Sequence, residues 1–288
     1  MNHKRHVEIA GAGFAGLTAA ISFAQAGWSV TVHEKDDVLR ALGAGIFLWE
    51  NGLRVLQEVD ALAGVLRESV TPPYYITQVH ETVASREHFG GRPWRTMQRA
   101  VLHKALEDSA RRYGVEILTS SHVASATADG GLVLVDGSVR RADLVVGADG
   151  VASNTRDSLS FRTTGSSGRD GICRVLVERD PQHRGGIWDS VIDFWNFAPR
   201  VMRVLYVPVA ADKLYLGLMA SNDDPEASQI PIDLDLWIDM FPSLAPALTR
   251  VAALPNVRRD VYRTSVLDTW HAGRSEEHTS ELQSRQYL

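Results

Sequence analysis

The sequence predicts an α/β fold in which a domain of parallel strands and helices is interleaved with a second, sheet-rich domain. The first 34 residues show a strand–helix–strand pattern, with an apolar strand over 7–12 and a helix that stops at Gly27. A second apolar run, over 144–146, ends in a glycine-rich turn and is typical of another buried strand. After about residue 158, strand-like segments joined by polar or proline-containing turns replace this alternation.

The predicted elements follow the same division. The first domain is expected to contain helices over 51–59 and 99–113, strands over 28–33, 115–118 and 144–146, and a hairpin over 123–135. The second is expected to contain strands over 172–177, 191–196, 201–207 and 213–220, then helices over 233–240 and 243–253. We therefore assign the first domain to 1–70 and 97–157, the second to 71–96 and 158–255, and the start of a return to the first to 256–273.

Composition and charge exclude several classes of protein. The 288 residues are enough for two packed domains, and 44% hydrophobic with 23% charged residues is ordinary for a soluble chain. A net charge of −5 provides no basic surface for nucleic acid, and no apolar run of about 18 residues predicts a membrane span. The single cysteine, Cys173, excludes a disulfide framework, and the histidines show no metal-ligand spacing. We expect a cytoplasmic protein without nucleic-acid, membrane or metal partners.

The first motif indicates a dinucleotide site. Gly11, Gly13 and Gly16 follow the first predicted strand and open the helix, where they permit a tight turn, close approach of a pyrophosphate and helix–strand packing. Glu34 ends the next strand, where a carboxylate accepts hydrogen bonds from ribose hydroxyls and disfavours a 2′-phosphate. The alternative, a glycine-rich turn without a ligand, leaves Glu34 unexplained.

The second motif, over 143–156, reads Asp-Leu-Val-Val-Gly-Ala-Asp-Gly-Val-Ala-Ser-Asn-Thr-Arg. It resembles a signature of the aromatic-ring flavin hydroxylases, the group that includes p-hydroxybenzoate and salicylate hydroxylases. The resemblance implies a p-hydroxybenzoate hydroxylase-like fold with a Rossmann-type FAD-binding domain and a sheet-rich substrate domain. It also implies that Asp149 contacts the flavin ribose region and that Gly150 permits close backbone approach. A buried strand ending in an ordinary Asp-Gly turn is the alternative.

Arg40 and Arg99, between the two motifs, also match this family. The resemblance implies that Arg99 contacts the ribityl–phosphate region of the flavin. A solvated arginine at the start of a helix is the alternative for Arg99.

The stretches 43–56, 93–95 and 195–220, of which the last lies in the substrate domain, resemble family members that oxygenate hydroxylated pyridine carboxylic acids. By that resemblance Arg203, Tyr215 and Tyr75 line the substrate pocket, and Phe47 stands where a tyrosine is usual. An arginine suits the carboxylate of the ring, and tyrosines orient its hydroxyl while packing its faces. From pattern alone, Arg203 is equally a strand-surface charge opposite an acid, and Tyr215 is a core residue.

The resemblance implies a monooxygenase that uses FAD, NADH or NADPH, and O₂ to hydroxylate, and in some members to open, a small hydroxylated aromatic or pyridine carboxylic acid. A homo-oligomer is compatible with the sequence. Two alternatives stay open: a flavin-binding protein without oxygenase activity, dehydrogenase-like or regulatory, and an inactive fragment.

The last residues depart from the family. A Gly-Asp signature is expected after a segment such as Trp270–Gly273, but Arg274 opens a polar run that matches, over 274–284, the translation of a common sequencing adapter. The run lacks apolar periodicity. We therefore expect 274–288 to be a non-native tail that joins no core, the C-terminal part of the fold to be missing, and FAD binding by this chain to be weak.

Overall fold

The structure is a computed structural model that describes residues 4–39, 44–161 and 163–277. The helices are α1 (Phe14–Gln25), α2 (Glu50–Glu58), α3 (Leu62–Glu68), α4 (Arg99–Arg112), α5 (Asn154–Ser158), α6 (Pro225–Ser228), α7 (Leu234–Met240) and α8 (Ala245–Leu248). The strands are β1 (His6–Ala10), β2 (Ser29–His33), β3 (Gly45–Leu48), β4 (Tyr75–Val79), β5 (Thr82–Glu87), β6 (Arg95–Gln98), β7 (Glu116–Leu118), β8 (Val123–Thr127), β9 (Gly131–Leu134), β10 (Val139–Arg141), β11 (Leu144–Gly147), β12 (Thr163–Glu178), β13 (Val191–Asn196), β14 (Met202–Pro208), β15 (Lys213–Ser221), β16 (Arg259–Leu267), β17 (His271–Ala272) and β18 (Ser275–Glu277).

A parallel sheet carries the N-terminal glycine motif. Its strand order is β17-β18-β11-β1-β2-β7, and β11, β1, β2 and β7 run parallel. β1 has β2 on one side and β11, which follows much later in the chain, on the other. In open α/β sheets, ligands bind at the carboxyl ends of strands where the order reverses in this way. This topology therefore places both glycine motifs at one crevice.

The second sheet has the order β16-β12-β15-β14-β13-β4-β5. Its neighbours are antiparallel except for β13 and β4, which run parallel. β4 and β5 come from the part of the chain between β2 and β7, whereas the other five strands of this sheet follow β11. The strands predicted over 201–207 and 213–220 are confirmed as β14 and β15, which form an antiparallel pair with Met202 opposite Ala220.

The two faces of the second sheet have different coverings. One face packs on α6, α7 and α8 through a core that includes Phe194, Tyr206, Trp237 and Phe241. The opposite face carries Tyr75, Leu205, Tyr215 and Met219 and meets the segments 44–49 and 89–94. The first domain has its own core of α1, α4, β1 and β2 side chains. No helix among the described residues is long and apolar enough to span a bilayer.

Two differences from the sequence expectations concern the C-terminal region. β16 pairs with β12 of the second sheet, so 259–267 lies in that sheet and not in a return segment. The expectation that the tail joins no core was wrong for 275–277, because β18 pairs with β11 and Ser275 and Glu277 are buried. Strand pairing uses backbone groups that nearly every residue possesses, so the lack of apolar periodicity did not exclude it.

Candidate functional site

The turn after β1 has the geometry that a phosphate-binding loop requires. Gly11 has φ +97°, and a Cβ built on it would lie 2.4 Å from the backbone oxygen of Ala148. A Cβ on Gly16 would lie 1.9 Å from the oxygen of Gly11, whereas a Cβ on Gly13 would meet nothing within 4 Å. Gly11 and Gly16 are thus required by packing, and Gly13 keeps open space in front of the α1 N-terminus. That terminus has no side-chain cap, so its amides can bind an anion.

Glu34 is held with its carboxylate at the end of β2. One oxygen accepts the amide of Ala12 at 3.1 Å, and the other accepts the amide of Asp36 at 3.1 Å. Two backbone donors fix the side chain beside the glycine turn and leave it lone pairs for further donors. This arrangement suits the two hydroxyls of a ribose.

Asp149 and Gly150 lie at the opposite wall of the crevice, directly after β11. The Asp149 carboxylate accepts from the Ser153 hydroxyl at 2.5 Å and from the amide of Thr155 at 3.1 Å, and Gly150 has φ +89°. Ser153 also lies 3.0 Å from Glu277. Burial, followed by the charge of Asp149, raises the pKa of Glu277 to about 8. The Asp149 side chain therefore stabilises its own turn, and the Gly150 backbone lines the cavity.

Arg99 is the first residue of α4 and lies between the cavity and the second sheet. Its amide donates to the carbonyl of Ala44 at 3.1 Å, and its guanidinium lies 4.6 Å from the ring centroid of Phe14. Burial lowers the pKa of Arg99 from its ordinary value, and the nearby charge of Arg174 adds to this effect. The residue is half-buried at the cavity wall, unlike a solvated helix-start arginine. Arg40 lies outside the described residues.

These groups line one cavity of about 430 Å³. Its walls are the 10–15 turn, the end of β2 through Asp36, the start of α4, and the 148–152 turn. The volume is within the range of cofactor sites. The cradle at Gly13, the acid at Glu34 and the α1 N-terminus together fit a dinucleotide such as FAD.

The predicted pocket side chains lie on the face of the second sheet that meets 44–49 and 89–94. Arg203 donates from Nε to one oxygen of Asp193 at 2.7 Å and from Nη2 to the other at 3.0 Å. The hydroxyl of Tyr75 donates to the second oxygen at 3.0 Å. Arg203 also lies 4.6 Å from the Trp195 ring centroid. The structure thus brings Arg203 and Tyr75 together through an acid that sequence reasoning did not name.

Aromatic rings surround this polar group. Trp49 stacks on Trp94 with centroids 5.2 Å apart, and Phe89 packs edge-on against Trp49. Phe47 contacts both Trp49 and Tyr75 edge-on, at 5.7 and 6.5 Å. Edge-on and stacked rings of this kind make rigid walls for a flat ligand.

Tyr215 lies at the contact between the pocket face and β3. It is only 5% exposed, and a Cβ on Gly45 would lie 2.6 Å from the Tyr215 side chain, so glycine is required there. Burial raises the pKa of Tyr215, while the charges of Arg174 and Arg99 act in the opposite direction. Tyr215 therefore lies between Arg99 and the pocket side chains, and its hydroxyl is neutral.

Comparison with known proteins identifies the family. Residues 4–274 match the family of FAD-binding domains. The chain belongs to the FAD-dependent aromatic-ring monooxygenases. It is 36% identical over 280 residues to a 2-heptyl-3-hydroxy-4(1H)-quinolone synthase of Mycobacteroides abscessus, covering 93% of this chain and 72% of the relative. The tetrameric form of 2-methyl-3-hydroxypyridine-5-carboxylic acid oxygenase superposes with a TM-score of 0.92 at 49% identity, covering 96% of this chain and 75% of that one.

A relative of lower identity is also named for a hydroxylated pyridine acid. The chain is 28% identical over 236 residues to a 6-hydroxynicotinate 3-monooxygenase of Pseudomonas fluorescens, covering 75% of this chain and 58% of the relative. These comparisons confirm the predicted family, the mixed α/β fold and FAD as the cofactor of this flavin monooxygenase.

Several side chains at the monooxygenase site were missed by sequence reasoning. On the FAD side, His103 lies 2.8 Å from the carbonyl of Ala12, and His33 is buried at the cavity wall. In the pocket, Asp193, Arg174 and Tyr262 share the Arg203 face. Asp193 and Arg203 lie on consecutive strands, but Tyr75, Arg174 and Tyr262 come from strands far apart in the sequence. The available signal was the alternation that places Asp193 on the same strand face as Val191 and Trp195. No group of three metal-ligating side chains occurs among the described residues.

Proposed function

We propose that this monooxygenase oxygenates a small hydroxylated aromatic or pyridine carboxylic acid, with NADH or NADPH as reductant and O₂ as oxidant. The observation that carries the proposal is the polar group of Arg203, Asp193 and Tyr75, which lies beside aromatic side chains on one face of the second sheet. A flat ring with polar substituents would contact both the polar side chains and the aromatic rings. The 49% identical structural neighbour, named for a hydroxypyridine carboxylic acid, supports this substrate class.

The proposed FAD contacts follow from the crevice. The α1 N-terminus and the open space at Gly13 would receive the pyrophosphate, and Glu34 would bind the ribose hydroxyls. Arg99 and the backbone at Asp149 and Gly150 would hold the ribityl side. When bound, reduced FAD supplies the reaction with O₂ that transfers one oxygen atom to an electron-rich ring.

The pocket side chains would bind and orient that ring. Burial alone would lower the pKa of Arg203, but the hydrogen bonds and charge of Asp193 raise it above its ordinary value, so the guanidinium stays charged. It would bind an anionic or carbonyl oxygen of the substrate. Tyr75 and Tyr215 would orient the ring, and Phe47, Trp49 and Trp94 would exclude water from it.

The experiment is substrate-stimulated oxidation of NADH and NADPH by the FAD-loaded protein. The panel contains hydroxypyridine carboxylates, hydroxybenzoates and an uncharged alkyl-4-quinolone, and peroxide release is measured beside each. Stimulation by a carboxylic acid with little peroxide supports the proposal. Stimulation by the quinolone alone favours the quinolone reaction named for the Mycobacteroides relative, and no stimulation by any member contradicts the oxygenase proposal.

Two finer points belong to the same proposal. Phe47 replaces a tyrosine hydroxyl in the resembled pocket, so we propose the same reaction class on a ring with one fewer polar contact there. Product mass distinguishes hydroxylation from ring opening, because hydroxylation adds one oxygen atom, whereas hydrolytic opening of the oxygenated ring adds one oxygen atom and one water. We also propose a homo-oligomer, supported by the tetrameric neighbour and tested by light scattering during size-exclusion chromatography.

A further inference from the structure

We propose that Asp193 is a positioning residue that fixes the hydrogen-bonding direction of Tyr75 and Arg203. The pocket then selects a ring with a donor facing Tyr75 and an acceptor facing Arg203. This inference rests on the proposed oxygenase function and specifies its substrate class. It does not require Asp193 to touch the substrate.

The Asp193 carboxylate is buried and connects three strands through hydrogen bonds. It lies on β13, is 5% exposed, and accepts two hydrogen bonds from Arg203 on β14 and one from Tyr75 on β4. Paired N–H donors on a carboxylate fix the guanidinium plane, and such ionic hydrogen bonds are about twice as strong as neutral ones.

Tyr75 is directed by this contact. A phenol has a single proton, and that of Tyr75 is donated to Asp193. Toward a ligand its oxygen therefore acts as an acceptor. The matching substrate group is a ring hydroxyl or a ring N–H, and an ether oxygen or a bare ring nitrogen is a mismatch.

Arg203 is directed in the opposite sense. Its Nε and Nη2 donate to Asp193, one face lies against Trp195, and its Nη1 lies 3.6 Å from the sulfur of Met219, a weak acceptor. Nη1 and the second proton of Nη2 are the donors that this arrangement leaves for a ligand oxygen. The matching group is a carboxylate or carbonyl oxygen.

Substitution of Asp193 by asparagine should reverse the direction of Tyr75. An amide has one acceptor oxygen, and the shorter of the two guanidinium contacts, from Nε at 2.7 Å, competes best for it, so the Nη2 contact is lost. The amide nitrogen then faces Tyr75 as a donor, so the phenol accepts from it and turns its own proton toward the ligand. Selection for a substrate donor should disappear, although the pocket keeps its shape.

The test compares three probes in the FAD-loaded protein by flavin absorbance titration: 2-methyl-3-hydroxypyridine-5-carboxylate, its 3-methoxy derivative and its N-methyl derivative. The 3-methoxy derivative cannot donate from the 3-oxygen, and the N-methyl derivative cannot donate from the ring nitrogen. We expect one of them to bind at least about tenfold more weakly than the parent, and that ratio to fall toward one in Asp193→Asn and Tyr75→Phe. Asp189→Asn is the matched control, because Asp189 pairs with Arg179, which is not one of the pocket side chains, and should keep the ratio. General damage would weaken all probes equally, so an unchanged ratio in a folded Asp193→Asn protein overturns the inference.

A second measurement needs no substrate. The ¹⁵N signal of the Arg203 Nε–H, identified by its absence in Arg203→Lys, should exchange slowly in the parent and in Asp189→Asn, and faster in Asp193→Asn, where one neutral amide oxygen replaces the paired carboxylate contact. Slow exchange without binding of any probe would contradict the proposed substrate class and support the positioning of Arg203 by Asp193. Rapid exchange in the parent protein would overturn the positioning itself.

Discussion

Gly13→Ala and Gly16→Ala should separate cofactor binding from folding, although the two glycines are three residues apart. Gly13 has φ −75° and ψ −174°, which alanine adopts, and its added methyl meets nothing within 4 Å. The free energy of unfolding of the apo-protein should therefore change by less than about 1 kcal/mol. At Gly16 the methyl would lie 1.9 Å from a backbone oxygen of Gly11, which cannot rotate away as a side chain can. We expect a loss of about 1–3 kcal/mol or more, a large share of a typical stability.

FAD binding by the folded protein should instead be weakened more by Gly13→Ala than by Gly16→Ala. The Gly13 methyl would enter the open space beside the cavity, where the proposed pyrophosphate approaches the α1 N-terminus. We expect FAD to bind at least about tenfold more weakly, equivalent to about 1.4 kcal/mol. Urea unfolding of the apo-protein and quenching of FAD fluorescence measure the two quantities separately. Gly13→Ala with parental FAD affinity, or with a stability loss equal to that of Gly16→Ala, would refute this reasoning.

Three further predictions concern single side chains. Glu34→Gln should weaken FAD binding by about 10–100-fold in the same titration, since a charged acceptor contributes about 1.5–3 kcal/mol, and an unchanged affinity would remove Glu34 from the site. Glu277 has a pKa of about 8 in the folded protein against 4.5 ordinarily, so the folded state binds the extra proton between these values and stability should fall as pH rises from about 5 to 8. The slope difference from Glu277→Gln in urea unfolding should reach at most about 1.4 kcal/mol per pH unit, and parallel profiles would contradict it. Burial raises the pKa of Cys173 to about 11, so this thiol should resist a disulfide reagent at pH 8 until the protein is unfolded, and rapid native labelling would show that it is accessible.

Local patterns were enough to predict the parallel-sheet half of the fold. The apolar run before Gly11, the helical spacing after it and the acid at Glu34 each depend on neighbouring residues, and the structure places them as β1, α1 and the end of β2. The tight packing at Gly11 and Gly16 follows from the same motif. The grouping of these residues around one cavity was therefore predictable from sequence.

The substrate side was predictable only in part. Arg203 and Tyr75 were named through resemblance, but the acid that joins them was not, because Asp193 and Tyr75 are 118 positions apart and meet through a parallel strand pair. Arg203 was expected either to line the substrate pocket or to pair with an acid on the strand surface. It pairs with Asp193 on the sheet face that we propose as the pocket. For 275–277, side-chain polarity predicted a tail outside the core, whereas backbone hydrogen bonds to β11 determine its position.

Incorporation of ¹⁸O from ¹⁸O₂ into the product tests the central claim most directly. The FAD-loaded protein is supplied with NADH and the panel acid that stimulates its oxidation most strongly, and the product is analysed by mass spectrometry. A monooxygenase transfers one oxygen atom from O₂, so the product formed in unlabelled water should contain one ¹⁸O. A product without ¹⁸O, with all the O₂ recovered as peroxide, would contradict the monooxygenase assignment of this chain.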